Sequence, residues 1–320
     1  MDILWKSRKV VIVGAGAVGS TFAYALAQRG VADEICLTDI NRDFAAGQVL
    51  DLAHGLPFYP SVQIRLGENS DYADAQVVVI TAGAKQQPGE SRLNLLQKNA
   101  ALVESIVDEM VSQKSQAVLV LATNPVDVLT YVALKRSAWP KGRVIGSGTV
   151  LDSARFRYLL SQHCKVDVGN VHAYILGEHG DSEVAAWSMT HVAGVPMDKY
   201  CPVCGNCRDW HGQRERIVKE VRDSAYHIIN YKGATYFGIG MSLARIVGTI
   251  LQDQNSVLTV STLLTGEYGI RDVCLGIPAI VGQGGVKRIV ETQLYPEEQA
   301  ALEASAQTLK KSIASLYQVA

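Results

Sequence analysis

No stretch of this 320-residue chain approaches the roughly 20 consecutive apolar residues that a membrane-spanning helix needs. An excess of one charge is missing too. Its 30 basic and 31 acidic residues leave a formal net charge of -1 without a long run of either sign, so neither a nucleic-acid backbone nor an anionic membrane is implied as a partner. Cysteine is sparse, at six residues, which makes no disulfide scaffold; in a reducing compartment these side chains stay thiols. Residues 1–9 mix charge with Trp5 and show no separate apolar core or cleavage site, so the expectation is a cytoplasmic protein without a secretory signal. Internal repeats and low-complexity tracts are lacking as well. Apolar residues are plentiful, at 48%, enough for a large core and two domains or lobes.

From residue 9 to about 148, short β-branched runs (10–13, 34–38, 77–81, 117–122 and 144–146) alternate with longer stretches of helical spacing. That alternation predicts a parallel sheet covered by helices. Beyond 150 the pattern changes to a helix over 151–163, a strand after Asn170, one long helix around 213–250 and strands over 256–286. Gly266-Glu267-Tyr268-Gly269 should turn one of those strand pairs. A final helix over 296–317 carries Leu302, Leu309, Ile313 and Leu316 near a helical period and packs one face on the body.

The run Val10-Val11-Ile12-Val13 enters Gly14-Ala15-Gly16-Ala17-Val18-Gly19 and then a helix. GxGxxG alone is a weak signal, but this context gives it meaning. The first glycine makes the turn, the second lets a pyrophosphate approach the backbone, and the third permits tight helix–strand packing, with the helix amino end facing the phosphates. Asp39, at the end of the next strand, suits hydrogen bonds from an adenosine ribose and repels a 2'-phosphate, which favours NAD over NADP. A packing turn without ligand is the alternative. The fold class expected is α/β: a Rossmann-type doubly wound parallel sheet over 1–148, then a mixed α+β domain over 149–320.

Three further segments carry chemistry. Gly177-Glu178-His179-Gly180-Asp181-Ser182-Glu183 follows an apolar run at 173–176; an imidazole there can exchange protons near neutral pH, or it is a loop histidine among solvated neighbours. The polar stretch from Lys85 to Arg92, after Thr81-Ala82-Gly83-Ala84, reads as a mobile lid flexing at Gly83 and Gly89, or as an ordinary surface loop. In Leu151-Asp152-Ser153-Ala154-Arg155-Phe156-Arg157, helical spacing puts Asp152 and Arg155 on one face and Arg157 elsewhere. Asp152 can hold a histidine ring in one tautomer, and Arg155 presents a planar fork to a carboxylate; the pair also reads as an intrahelical ion pair.

Together these pieces resemble the lactate/malate dehydrogenase family from about residue 9 to the carboxyl end. The strings GAGAVGS, TAGAKQQPGESRLNL, ATNPVDV, VLDSARFR, GEHGDSE and KGATYFGI occur in the family's order. The resemblance implies an NAD-dependent oxidoreductase, with His179 as proton donor and acceptor, Asp152 as its partner, Arg92 as the lid residue polarising a carbonyl and Arg155 as the carboxylate clamp. Asn124 and Thr235 would line the substrate site. Val18, Gly83, Ala84, Thr123, Asn124 and Ser147 would join Gly14, Gly16, Gly19 and Asp39 around the cofactor. Gln86 falls where lactate-specific members carry glutamine and malate-specific members arginine, which implies pyruvate and L-lactate as substrates, with Lys85 a nearby cation that complicates the reading. Alternatives are a malate or broader 2-oxo acid reductase and, from another class, a non-catalytic NAD-binding protein.

Arg157 and His172 match positions that in bacterial members activated by fructose 1,6-bisphosphate hold the effector's phosphates across a subunit interface; otherwise they are two surface residues. The short segment before the first strand resembles bacterial members. Homotetramer is the family expectation. Ala45, Val49, Leu52 and Ala53 form a stripe suited to a subunit contact or to internal packing. Cys201, Cys204, Cys207 and His211 have zinc-compatible spacing, but the family chemistry requires no metal and none is expected.

Overall fold

The computed structural model describes residues 7–84, 89, 91–205 and 209–317. Six strands pair in parallel: β1 (Lys9–Val13), β2 (Glu34–Thr38), β3 (Gln63–Leu66), β4 (Val77–Ile80), β5 (Val118–Leu121) and β6 (Val144–Gly146). Their order across the sheet is 3-2-1-4-5-6, the doubly wound arrangement in which ligands bind beyond the carboxyl ends of the central strands. β1, β4 and β5 are buried along their whole length, as strands covered on both faces must be, and this is why they read as unbroken apolar runs. β3 escaped the sequence reading because it is a short edge strand in which Gln63 and Arg65 alternate with Ile64 and Leu66.

The covering helices are α1 (Ala17–Arg29), α2 (Arg42–His54), α3 (Arg92–Ser112), α4 (Val126–Ser137) and α5 (Val150–Cys164). On α2, Ala45 and Leu52 are buried and Val49 packs against the same core, so the stripe read as a possible subunit contact faces inward; Phe44 and Leu50 lie exposed instead. After α5 come the short strands β7 (Val171–His172), β8 (Ile175–Leu176), β9 (Val184–Ala185), β10 (His191–Val192) and β11 (Val195–Pro196). Helices α6 (Met197–Cys204), α7 (Trp210–Lys232) and α8 (Phe237–Leu251) follow. The single helix expected around 213–250 is therefore two. Gly233 takes φ +83, a left-handed conformation, and donates its N–H to Ile229 O at 2.8 Å, which closes α7.

The sheet continues beyond β6. Strands β12 (Ser256–Thr265), β13 (Arg271–Gly282) and β14 (Gly285–Ile289) add to it antiparallel, making nine strands. The turn expected at 266–269 joins β12 to β13. α8 packs on α1, so a helix from the second half covers one face of the first. The last helix, α9 (Pro296–Tyr317), buries Leu302, Leu309 and Ile313 as its periodicity implied. Among the described residues, no helix is long and apolar enough to cross a membrane.

Candidate active site

The loops after β1, β4 and β5 converge beyond the carboxyl ends of these central strands. Gly14, at φ +109, could carry no side chain: a Cβ would stand 2.5 Å from Ala82 N. A Cβ on Gly19 would stand 1.8 Å from Gly14 O, whereas one on Gly16 would meet nothing within 4 Å. The outer two glycines thus serve close packing, and the middle one faces open space. Helix α1 starts there without a side-chain cap, so its first-turn N–H groups are available to a phosphate. Asp39 accepts the Ala15 N–H at 2.8 Å and the Asn41 N–H at 2.9 Å; it braces the glycine turn as well as standing where a ribose belongs. Beside it, Ile40 is fully exposed and offers an apolar surface to an aromatic base. This open, donor-rich cradle fits a dinucleotide.

Hydrogen bonds tie the neighbouring loops together. Thr81 Oγ1 donates to Gly14 O at 2.9 Å, and Thr123 Oγ1 donates to Ala82 O at 2.5 Å. Ala84 N–H donates to Asn99 Oδ1 at 2.8 Å, while Asn99 Nδ2 donates to Asn124 O at 3.0 Å. Asn99, buried in α3, therefore pins the base of the expected lid to the Asn124 loop. Sequence reasoning missed it, although a lone amide on the apolar face of a helix was the available signal. Gly83 and Val18 lie in the segments that follow β4 and β1, and Ser147, buried, donates its N–H to Leu121 O.

The second cluster forms where α5 meets the loop after β8. His179 Nδ1 lies 2.6 Å from Asp152 Oδ2, and Arg155 Nη1 donates to Asp152 Oδ1 at 2.8 Å. Both expected partners of Asp152 are present, one on each oxygen. Burial acts against the charge on His179, but Asp152 through field and hydrogen bond, and Asp127 through field, outweigh it and push the imidazole up to about 9. Burial likewise opposes the charge on Asp152, yet His179 and Arg155 hold its carboxyl below the usual range. At neutral pH the site accordingly holds an imidazolium.

Three distant elements set the ring's backbone. Gly177 exchanges hydrogen bonds with Gly276 on β13 at 2.9 and 2.8 Å. Glu178 N–H donates to Ser305 Oγ on α9 at 2.8 Å, and His179 N–H donates to Asp127 Oδ2 on α4 at 2.8 Å. Asp127 is almost wholly buried, and burial pushes its carboxyl up to about 6 despite that hydrogen bond. It too went unnoticed in the sequence, where it reads as an ordinary acid in the first turn of a helix.

Not every expected residue joins this cluster. Ser91 Oγ accepts the Asn94 N–H at 3.1 Å and so fixes the start of α3 at Arg92. Arg92 is exposed, and its charge acts on Tyr226, which donates to Asp181 at 3.0 Å. Gln86 and Lys85 lie outside the described residues. Thr235, half-buried, sits in the link between α7 and α8. Arg157 donates to Val168 O at 3.4 Å, and His172 is exposed on β7, paired with His191 on β10. Cys201 Sγ lies 4.0 Å from His163 Nε2 rather than against His211, which lines a cleft with Arg222, while Cys207 lies outside the described residues.

An open dinucleotide cradle at the carboxyl ends of a doubly wound sheet's central strands, with an aspartate-held imidazolium on the adjoining half, defines an NAD-dependent oxidoreductase. The chain belongs to the lactate/malate dehydrogenase family: residues 8–146 match its NAD binding domain and residues 149–319 its alpha/beta C-terminal domain. It is 57% identical to the L-lactate dehydrogenase of Treponema denticola, over 97% of this chain and 99% of that one. Identity to the L-lactate dehydrogenase of Acetivibrio thermocellus is 50%, over 97% of each chain. The crystal structure of the minor L-lactate dehydrogenase from Enterococcus mundtii in its ligands-bound form superposes with a TM-score of 0.94 at 43% identity, covering 97% of this chain and 98% of that one.

Proposed function

We propose that this protein interconverts pyruvate and L-lactate using NAD, with His179 moving the proton. The observation that carries this reading is the Asp152 carboxylate held between His179 and Arg155 at 2.6 and 2.8 Å. When bound, the reduced nicotinamide supplies a hydride to C2 of the 2-oxo acid. His179, charged at neutral pH, gives the proton on its outward nitrogen to the oxygen on which negative charge grows. Asp152 fixes the tautomer and steadies the charged ring. Arg155 clamps the substrate carboxylate, and Arg92, carried in by the lid, polarises the carbonyl in the transition state. Asn124 and Thr235 line the substrate. Gly14, Gly16, Val18, Gly19 and Asp39 hold the adenosine diphosphate portion, and Gly83, Ala84, Thr123 and Ser147 complete the cofactor cleft. The cofactor domain spans 1–148 and the substrate domain 149–320, a division supported by family matches that meet between 146 and 149.

Gln86 sets the choice of acid. A second carboxylate buried under the lid without a cation costs several kcal/mol, on the order that buried unpaired charges carry. The protein acts in the cytoplasm as a homotetramer activated by fructose 1,6-bisphosphate, whose phosphates bridge Arg157 and His172. These two residues stand on α5 and β7, elements that pack together, which supports a shared site. One experiment tests the substrate and the regulation together: kcat/KM with NADH for pyruvate and for oxaloacetate at one pH and salt, with and without the bisphosphate. A strong preference for pyruvate, raised by the bisphosphate, is expected. Preference for oxaloacetate would overturn the choice of substrate, and indifference to the bisphosphate would overturn the regulation.

A further inference from the structure

Glu183, four residues after His179, has no part in the mechanism above. It is 4% exposed, and no hydrogen-bond donor among the described residues reaches its buried Oε1. Backbone contacts fix its place: Arg222 Nη2 donates to Glu183 O at 2.9 Å, and Glu183 N–H donates to Gly180 O at 3.2 Å. The residue stands between two surroundings. Asp152, His179 and Arg155 are close enough for their charges to act on its carboxyl. It also lines a cleft of about 570 Å3 between β9, α7 and α9.

Three of the other charged groups of that cleft, Glu298, Arg214 and Arg222, are engaged. On α9, Glu298 accepts from Ser188 and from the Tyr295 N–H, and Glu297 stands beside it. On α7, Arg214 pairs with Asp198 at 3.8 Å and stacks on Trp187, and Arg222 is tied to the Glu183 carbonyl; His211, Glu215 and Lys219 line the same wall. Burial, reinforced by Asp152, pushes the Glu183 carboxyl up to about 8 against the opposing pull of His179, Arg222 and Arg155.

Charge counting shows what such a group does. Asp152, the imidazolium and Arg155 together carry one net positive charge, which the Asp127 carboxylate against the His179 N–H offsets. A docked substrate carboxylate then leaves one negative charge in excess among these groups while Glu183 is neutral and two once it is ionised, so docking favours the neutral carboxyl. We propose that Glu183 is a positioning residue that sets the charge of the substrate site: in alkaline solution it takes up a proton from the α7–α9 cleft when a 2-oxo acid docks on Arg155 and returns it when the acid leaves, and at neutral pH it stays protonated throughout. The proposal rests on the roles given above to His179 and Arg155.

The test is calorimetric. Oxamate, an amide isostere of pyruvate, is titrated into the enzyme–NADH complex at about pH 9 in buffers of different ionisation heat, so that protons taken up per oxamate are counted directly. His179 alone can take up one. The wild type should take up between one and two, and Glu183→Gln no more than one, so that above this pH oxamate affinity falls about tenfold less per pH unit in the variant. A wild-type uptake of one or fewer overturns the proposal without recourse to any variant. An uptake above one that persists in Glu183→Gln overturns it as well. If uptake is nil and His179→Gln binds oxamate as tightly as the wild type, the failure lies with the role of His179 itself.

Discussion

In the cofactor cleft, the turn, the uncapped helix and the bracing carboxylate all lie within residues 14–39, and most of what they offer is backbone. Around His179 the arrangement is reversed: side chains and hydrogen-bond partners come from α4, α5, β13 and α9, up to 127 residues apart. A local motif tolerates change in distant sequence, because its geometry is written in consecutive residues. A convergent site depends on the whole fold arriving in register, and its energy lies in a few charged hydrogen bonds shielded from water.

The sharpest way to break this contrast is at His179. His179→Gln should lower kcat for pyruvate reduction about 10^3-fold, within the range lost with a general acid, while the dissociation constant for NADH, measured by fluorescence, stays within about twofold. Parallel loss of NADH binding would mean that the two regions are not separable. Asp152→Asn should cost about 10^2-fold in kcat and also change the pH profile. With His179 as the proposed proton donor, wild-type pyruvate reduction should fall as pH rises through about 9. Without the Asp152 charge the ring loses its proton more readily, and that limb moves to lower pH; an unmoved limb would show that Asp152 does not set the imidazole's charge. The glycine turn gives the smallest effects and divides stability from binding. Gly19→Ala meets Gly14 O and should destabilise the fold by about 1–3 kcal/mol in denaturant titration. Gly16→Ala has room and should leave stability nearly intact while weakening NADH binding about tenfold, since the methyl group occupies the phosphate approach.

The same contrast explains what could be read from the chain. Buried parallel strands announce themselves as apolar runs, and the glycine spacing between strand and helix carries its own physical reason. Asp152 and Arg155 were placed on one face by helical period alone. That they meet His179 could be taken only from the family resemblance, because nothing in the spacing of residues 152 and 179 brings them together. Asp127, Asn99 and Glu183 were invisible for a further reason: their burial and partners arise from long-range packing, and an acid or amide in a helix or loop looks solvent-facing until that packing is known. The break at Gly233 was overlooked because one glycine within a long periodic stretch is compatible with a continuous helix, and the left-handed backbone there is a decision of the fold.

The hydrogen bond from Glu178 to Ser305 spans 127 residues of chain, and this has a bearing on synthesis. At about 5–20 residues per second, Ser305 leaves the ribosome on the order of ten seconds after the loop it secures. During that interval the glycine turn and its sheet have already emerged. The glycine turn of a nascent chain thus stands outside the ribosome well before the backbone beside His179 is fastened.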